Sequence, residues 1–135
     1  MKKAFVFIFC CFWLFSCENQ PADEILCTEQ FVTISLKVVD EDETPVALDS
    51  IKVKWGSQDI TRQQLPEDFA MAQKAGSYAI VTDRLRGFLT GVEAQVIFTG
   101  YIGEEEVINE PFLVSANQCH VIYIDTKPLT YILIR

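Results

Sequence analysis

FVTISLKVVDEDETPV, residues 31–46, sets the architecture. Val32, Ile34, Leu36 and Val38 are apolar while Thr33, Ser35 and Lys37 alternate with them, the two-residue period of a strand with one face in a core and one in water. Asp40 to Glu43 place four carboxylates in a row, and Pro45 follows. Adjacent charges and a residue without a backbone donor end a ladder and make a solvated turn.

The same signal recurs along the chain. Ile51, Val53 and Trp55 alternate with Ser50, Lys52 and Lys54 up to Gly56-Ser57, and Ile60 fits a short strand beyond. Thr61 to Ala75 is the least strand-like stretch; Pro66-Glu67-Asp68 before Phe69, Met71 and Ala72 predicts one or two helical turns with proline first. Gly76 opens a strand over Ser77 to Asp83, with Tyr78 and Ile80 on one face. Val92, Ala94, Val96 and Phe98 form another alternation, ended by a turn at Thr99 to Gly103. Glu104 to Asn109 and Phe112 to Val114 are two short strands divided by Pro111, and Val121 to Thr126 and Tyr131 to Ile134 follow. About seven short strands with turns roughly every ten residues predict an all-β fold, a single antiparallel β-sandwich of the Ig-like or transthyretin-like kind.

The first residues have another character. Lys2 and Lys3 precede an unbroken apolar run from Ala4 to Phe15, short of the roughly 20 residues that cross a bilayer and within the length of a secretory signal. Leu14-Phe15-Ser16-Cys17 resembles the lipobox of bacterial lipoproteins, which has a branched residue three before the cysteine and a small one just before it. The resemblance implies cleavage before Cys17, a diacylglyceryl thioether on its sulfur and acylation of its new amino group; several chains on one residue anchor stably. Glu18, rather than Asp, follows Cys17, which favours the outer membrane. The expected division is a signal peptide at 1–16, a lipid-anchored linker at 17–29 and the β-sandwich domain at 30–135.

Losing Lys2 and Lys3 leaves nine basic residues against nineteen acidic ones, a net charge of −10. Such a surface repels phosphate backbones, so no nucleic-acid partner is expected. Cys10 and Cys11 leave with the leader. Only Cys27 and Cys119 then remain besides Cys17, and in an oxidising compartment two such thiols more often pair than stay free. The alternatives, a nucleophile or a metal ligand, find a single histidine in the whole chain to support them.

Val39-Asp40, the acidic turn, Thr44-Pro45-Val46 and Ser50 to Val53 resemble the opening of carboxypeptidase-regulatory-like modules, which are transthyretin-like β-sandwiches. Gly76-Ser77-Tyr78 looks like their Gly-x-Tyr strand start, and Val96 to Tyr101 like their strand ending in Gly-Tyr. Glu43 or Thr44 stands where the family has its turn glycine. The resemblance implies a non-catalytic attachment or spacing unit, and carries over no ligand-site residue.

Among chemical motifs, Asp40 and Asp42 match the first two positions of a calcium loop, but Thr44-Pro45 breaks the rest, and no metal or other cofactor is expected. His120 lies beside Cys119, and no Gly-x-Ser-x-Gly or comparable signature supplies it with a nucleophile, so no catalytic residue is assigned. Trp55, Tyr78, Tyr101, Tyr123 and Tyr131 are candidate stacking surfaces for sugar rings; Trp55 and Tyr78 continue core alternations, and Tyr101, in its glycine-flanked turn, is the candidate ligand-binding residue. The expected function is a non-catalytic envelope lipoprotein with an envelope-protein or carbohydrate partner. The alternative is a small secreted hydrolase or enzyme inhibitor using loops around Asp59 to Lys74 or Gly100 to Glu106. Clustered exposed aromatics would favour the binding reading; a concave pocket with two converging carboxylates, or His120 facing one, would favour an enzyme.

Overall fold

The alternation that opens at Phe31 becomes strand β1 (Thr33–Val39), with Ile34, Leu36 and Val38 buried and Thr33 and Lys37 exposed. In the computed structural model, which describes residues 25–65 and 67–134, β1 is the middle of a three-stranded sheet. The signal at 1–16, Cys17 and the first part of the linker lie outside the described residues. β2 (Ser50–Trp55), β3 (Gln58–Asp59), β5 (Ala94–Ile102), β6 (Glu105–Ala116) and β7 (Val121–Tyr123) form a second sheet in the order β3-β2-β5-β6-β7. The first sheet has the order β4-β1-β8, with β4 at Ser77–Thr82 and β8 at Thr130–Ile132. The chain is therefore mostly β in two sheets, and one cluster of buried side chains, Leu36 and Ile80 from the first and Val53 and Phe98 from the second among them, joins the two.

Three expectations need correction. Pairing is not antiparallel throughout: β8 runs parallel to β1, with Lys37 N–H donating to Leu129 O at 2.9 Å and Leu133 N–H to Val39 O at 2.8 Å. The chain reaches β8 only after leaving the other sheet, so no hairpin dictates its direction. Next, Pro111 does not divide two strands but lies inside β6, opposite Ile97. Leu113 turns its N–H and C=O toward Asp125 and Ile124, away from β5. Pro111, two residues earlier, therefore turns the same way and offers its carbonyl to Lys127 Nζ at 2.9 Å, so its missing donor is not wanted by β5. Finally, the helical stretch resolves into α1 (Thr61–Gln64) and α2 (Phe69–Ala75), and the first residue of α2 is Phe69 rather than a proline. Asp68 caps it, its side chain accepting from Met71 N–H, which satisfies an amide the helix leaves open. Beyond β4 a 3-10 turn (Asp83–Leu85) and α3 (Arg86–Leu89) were not anticipated; Leu85 and Leu89 bury one face of that turn and a half.

Two glycines are required by space. Gly76, at φ +60°, ends α2, and a Cβ there would lie 2.6 Å from Val38 O and 3.0 Å from the Pro45 Cβ. Gly100 lets Leu48 into the core, since its Cβ would stand 2.8 Å from Leu48 Cδ1. The acidic turn after β1 closes on itself: Asp40 Oδ1 accepts from Asp42 N–H and Thr44 N–H at 3.0 and 2.8 Å, and Glu43 holds φ at 62°. Glu43 thus adopts the left-handed backbone that glycine reaches at no cost and other residues rarely adopt.

Tyr78 is fully buried, as its alternation predicted, and its ring packs 6.0 Å from Phe69 and 6.5 Å from Phe98. Its hydroxyl accepts from Leu48 N–H at 2.7 Å and donates to Val46 O at 2.8 Å, fastening the 46–48 crossing between the sheets. Burial raises its pKa, as a phenol surrounded by hydrocarbon loses the solvation of its anion. Tyr78→Phe keeps the ring and strands both partners in the core, and is expected to cost about 2 kcal/mol in urea unfolding. A loss below about 0.5 kcal/mol would show that the crossing does not depend on the hydroxyl.

Candidate functional site

Tyr101 is not in a turn: β5 runs on through it to Ile102, with a bulge between Gly100 and Tyr101, and the reversal comes at Gly103-Glu104. Val96 and Phe98 turn into the core and Ile102 packs against it, so Tyr101 falls on the other side of the β5 alternation. Trp55, Tyr123 and Tyr131 pack against the core and Tyr78 lies within it, whereas half-buried Tyr101 lines an open groove of about 720 Å³. Asp49 holds the tip of this hairpin, donating its N–H to Tyr101 O at 2.8 Å and accepting from Gly103 N–H at 2.6 Å.

The opposite wall comes from residues far away in sequence. Asp59, Thr61 and Arg62 face Tyr101 and Glu104 across Ser50 and Lys52, so the two loop regions proposed from sequence meet in one groove. Thr61 is placed by β2, its Oγ1 accepting from Val53 N–H at 2.9 Å. Asp59 is held below the usual carboxylate range, first by the Thr61 hydroxyl and then by Thr61 N–H, with Lys52 and Lys54 adding to the effect. Its Oδ2 lies 4.0 Å from Lys52 Nζ. An aromatic flank beside alternating donors and acceptors suits a polyhydroxylated ring or an extended polar peptide.

At another place on the molecule, Cys27 and Cys119 are bonded across 92 residues. The bridge sets Thr28 beside His120, Oγ1 to Nε2 at 2.9 Å, and Nδ1 of the same ring lies 2.8 Å from Asp83 Oδ2. His120 therefore faces a carboxylate on one side and a hydroxyl on the other. Asn117 Oδ1 accepts from the N–H groups of Cys119 and His120 at 2.8 and 2.7 Å, an Asx turn that fixes the ring's backbone. Asp83 is only 12% exposed and accepts from three directions: His120 and Val32 N–H reach Oδ2, and Val121 N–H reaches Oδ1, the two amides at 2.8 Å. Burial pushes its pKa up, but these hydrogen bonds outweigh it and the net displacement is downward.

Thr28 and Asp83 were not singled out from sequence. One signal was present: Thr28 and His120 each follow a bridge cysteine, so an expected bridge already implied their approach. Nothing local marks Asp83. Among the described residues no cluster of three or more His, Cys, Asp or Glu side chains is arranged to hold a metal. Comparison of the chain with protein-family models, curated proteins and solved structures found no significant match.

Proposed function

We propose that the chain is a lipid-anchored, non-catalytic module of the bacterial cell envelope, attached to the outer membrane through Cys17, with an Ig-like or transthyretin-like β-sandwich whose Tyr101 groove holds a carbohydrate or envelope-protein partner. The observation that carries the reading is the convergence of Asp59, Arg62 and Glu104 around the one candidate aromatic that the core does not claim. Two sheets sharing one core support the sandwich. The bridge at Cys27, ten residues beyond Cys17, supports the tether, because it ties the domain together where a pull from the membrane would enter.

The test is affinity capture of the native protein from envelope extracts, with mass spectrometry of what co-purifies, run beside Tyr101→Ala and Cys17→Ala. The parent is expected in the membrane fraction with a stoichiometric partner. Tyr101→Ala should weaken that partner roughly tenfold, equivalent to about 1.4 kcal/mol. Cys17→Ala should shift the protein out of the membrane fraction. A Cys17→Ala protein that is processed and partitions like the parent overturns the anchor, and undiminished capture by Tyr101→Ala overturns the groove.

One observation favours a second reading. Thr28, His120 and Asp83 stand in the order of a nucleophilic hydroxyl, a base and an orienting carboxylate, the arrangement of a hydrolase.

A further inference from the structure

Gln64, the last residue of α1, is 1% exposed, and neither its Oε1 nor its Nε2 has a hydrogen-bond partner among the described residues. Buried carboxamides are nearly always paired, because an orphaned donor and acceptor lose water and gain nothing. Gln64 lines a cleft of about 460 Å³, within the range of small-ligand sites, on the outer face of the β4-β1-β8 sheet. Ser35, Ser77 and Ala79 form its floor, and Leu65, Met71 and Ala72 its wall. The floor is the polar side of the β1 alternation, kept small so that the helices stand away from it.

The charges at the rim are engaged elsewhere: Asp68 caps α2, and Arg84 donates to Gln63 O at 3.3 Å. Inside, the lining is mainly apolar, and its polar groups, the Gln64 carboxamide and the Ser35 and Ser77 hydroxyls, are neutral. A carboxamide presents an acceptor and a donor side by side, and its complement is a donor and an acceptor side by side. A primary carboxamide or a lactam has that edge and, once the enclosed Gln64 side chain turns toward the cleft, can form two hydrogen bonds to it while its apolar body fills the space. A carboxylate offers acceptors only and would have to be buried as a charge.

We propose that the cleft under α2 binds a neutral amide with an apolar body, oriented by paired hydrogen bonds to the Gln64 side chain. The proposal goes beyond the function above, since it holds whether or not Cys17 carries lipid or the Tyr101 groove takes a partner.

The test uses the purified mature protein, labelled with nitrogen-15 and titrated with cyclohexanecarboxamide up to about 10 mM, the range of a weak small ligand. The Gln64 side-chain amide resonances are expected to shift on binding. N,N-dimethylcyclohexanecarboxamide, which lacks the donor, should bind at least about tenfold more weakly. Gln64→Met, close in length and without polar atoms to satisfy, should lose this discrimination and raise the Tm by about 4–8 °C. Absence of any Gln64 shift, equal binding of the two amides, or a Gln64→Met protein with a lower Tm than the parent would each overturn the proposal. The Tm readout stands apart from binding and from the Tyr101 and Cys17 experiments.

Discussion

Replacing both Cys27 and Cys119 by serine is expected to lower the stability of the domain by about 4 to 5 kcal/mol. The bond joins residues 92 positions apart, so it closes a loop spanning nearly the whole of the described domain. In the chain-entropy account the cost falls on the unfolded state: without the bond the denatured chain gains the freedom that closure had removed. The folded state loses support as well, because the bridge is what brings Thr28 against His120. Cys27 lies in an exposed segment with no regular structure, and no hydrogen bond among the described residues ties residues 25–27 to the sheets, since the bonded Cys27 sulfur has no proton to donate. The measurement is urea unfolding of the double variant against the parent, with the Tm falling by on the order of 15 °C. A difference below about 1 kcal/mol would show that the denatured chain stays compact around these two residues even without the bond.

How far the fold could be read from the residues depended on what each pattern reports. Alternation reports which face of a strand is buried, and it did so for Ile34, Leu36 and Val38, for Ile51 and Val53, and for Val96 and Phe98. It does not report which strand lies alongside, so nothing in Thr130 to Ile132 revealed a parallel neighbour. Pro111 was misread for a related reason. A missing N–H matters only on the side of the strand that needs it, and that side is set by the partner. Tyr101 lies in a strand rather than in the expected turn, because the glycines beside it mark a bulge and a tight reversal. The bridge was legible from the count of cysteines together with the expectation of export. Asp83 and Gln64 were not, because their significance lies in what surrounds them in space, and an acidic chain holds many residues that look the same in one dimension.

Asp83→Ala is expected to cost roughly 3 to 4 kcal/mol at neutral pH, since it removes a nearly buried charged acceptor and leaves the Val32 and Val121 amides and His120 Nδ1 without partners. The pH dependence follows from the downward displacement of its pKa. A carboxylate whose folded pKa is depressed contributes stability that is fully present above the unfolded value, near 3.9, and is lost as the pH falls through the lower folded value. The gap between parent and Asp83→Ala should therefore stay constant from neutral pH to about 5 and narrow below about 4, which urea unfolding at each pH measures. A constant gap down to the most acidic condition would mean that the carboxylate charge is not what holds β1, β7 and His120 together. The same residue separates the two functional readings. If Asp83, His120 and Thr28 serve to fasten the segment that leads into β1, a fluorophosphonate leaves Thr28 unlabelled in the parent, and the effect of Asp83→Ala is confined to stability. Labelling of Thr28 that disappears in His120→Gln while the fold persists would make the hydroxyl a nucleophile, and would replace the binding-module reading with a hydrolase.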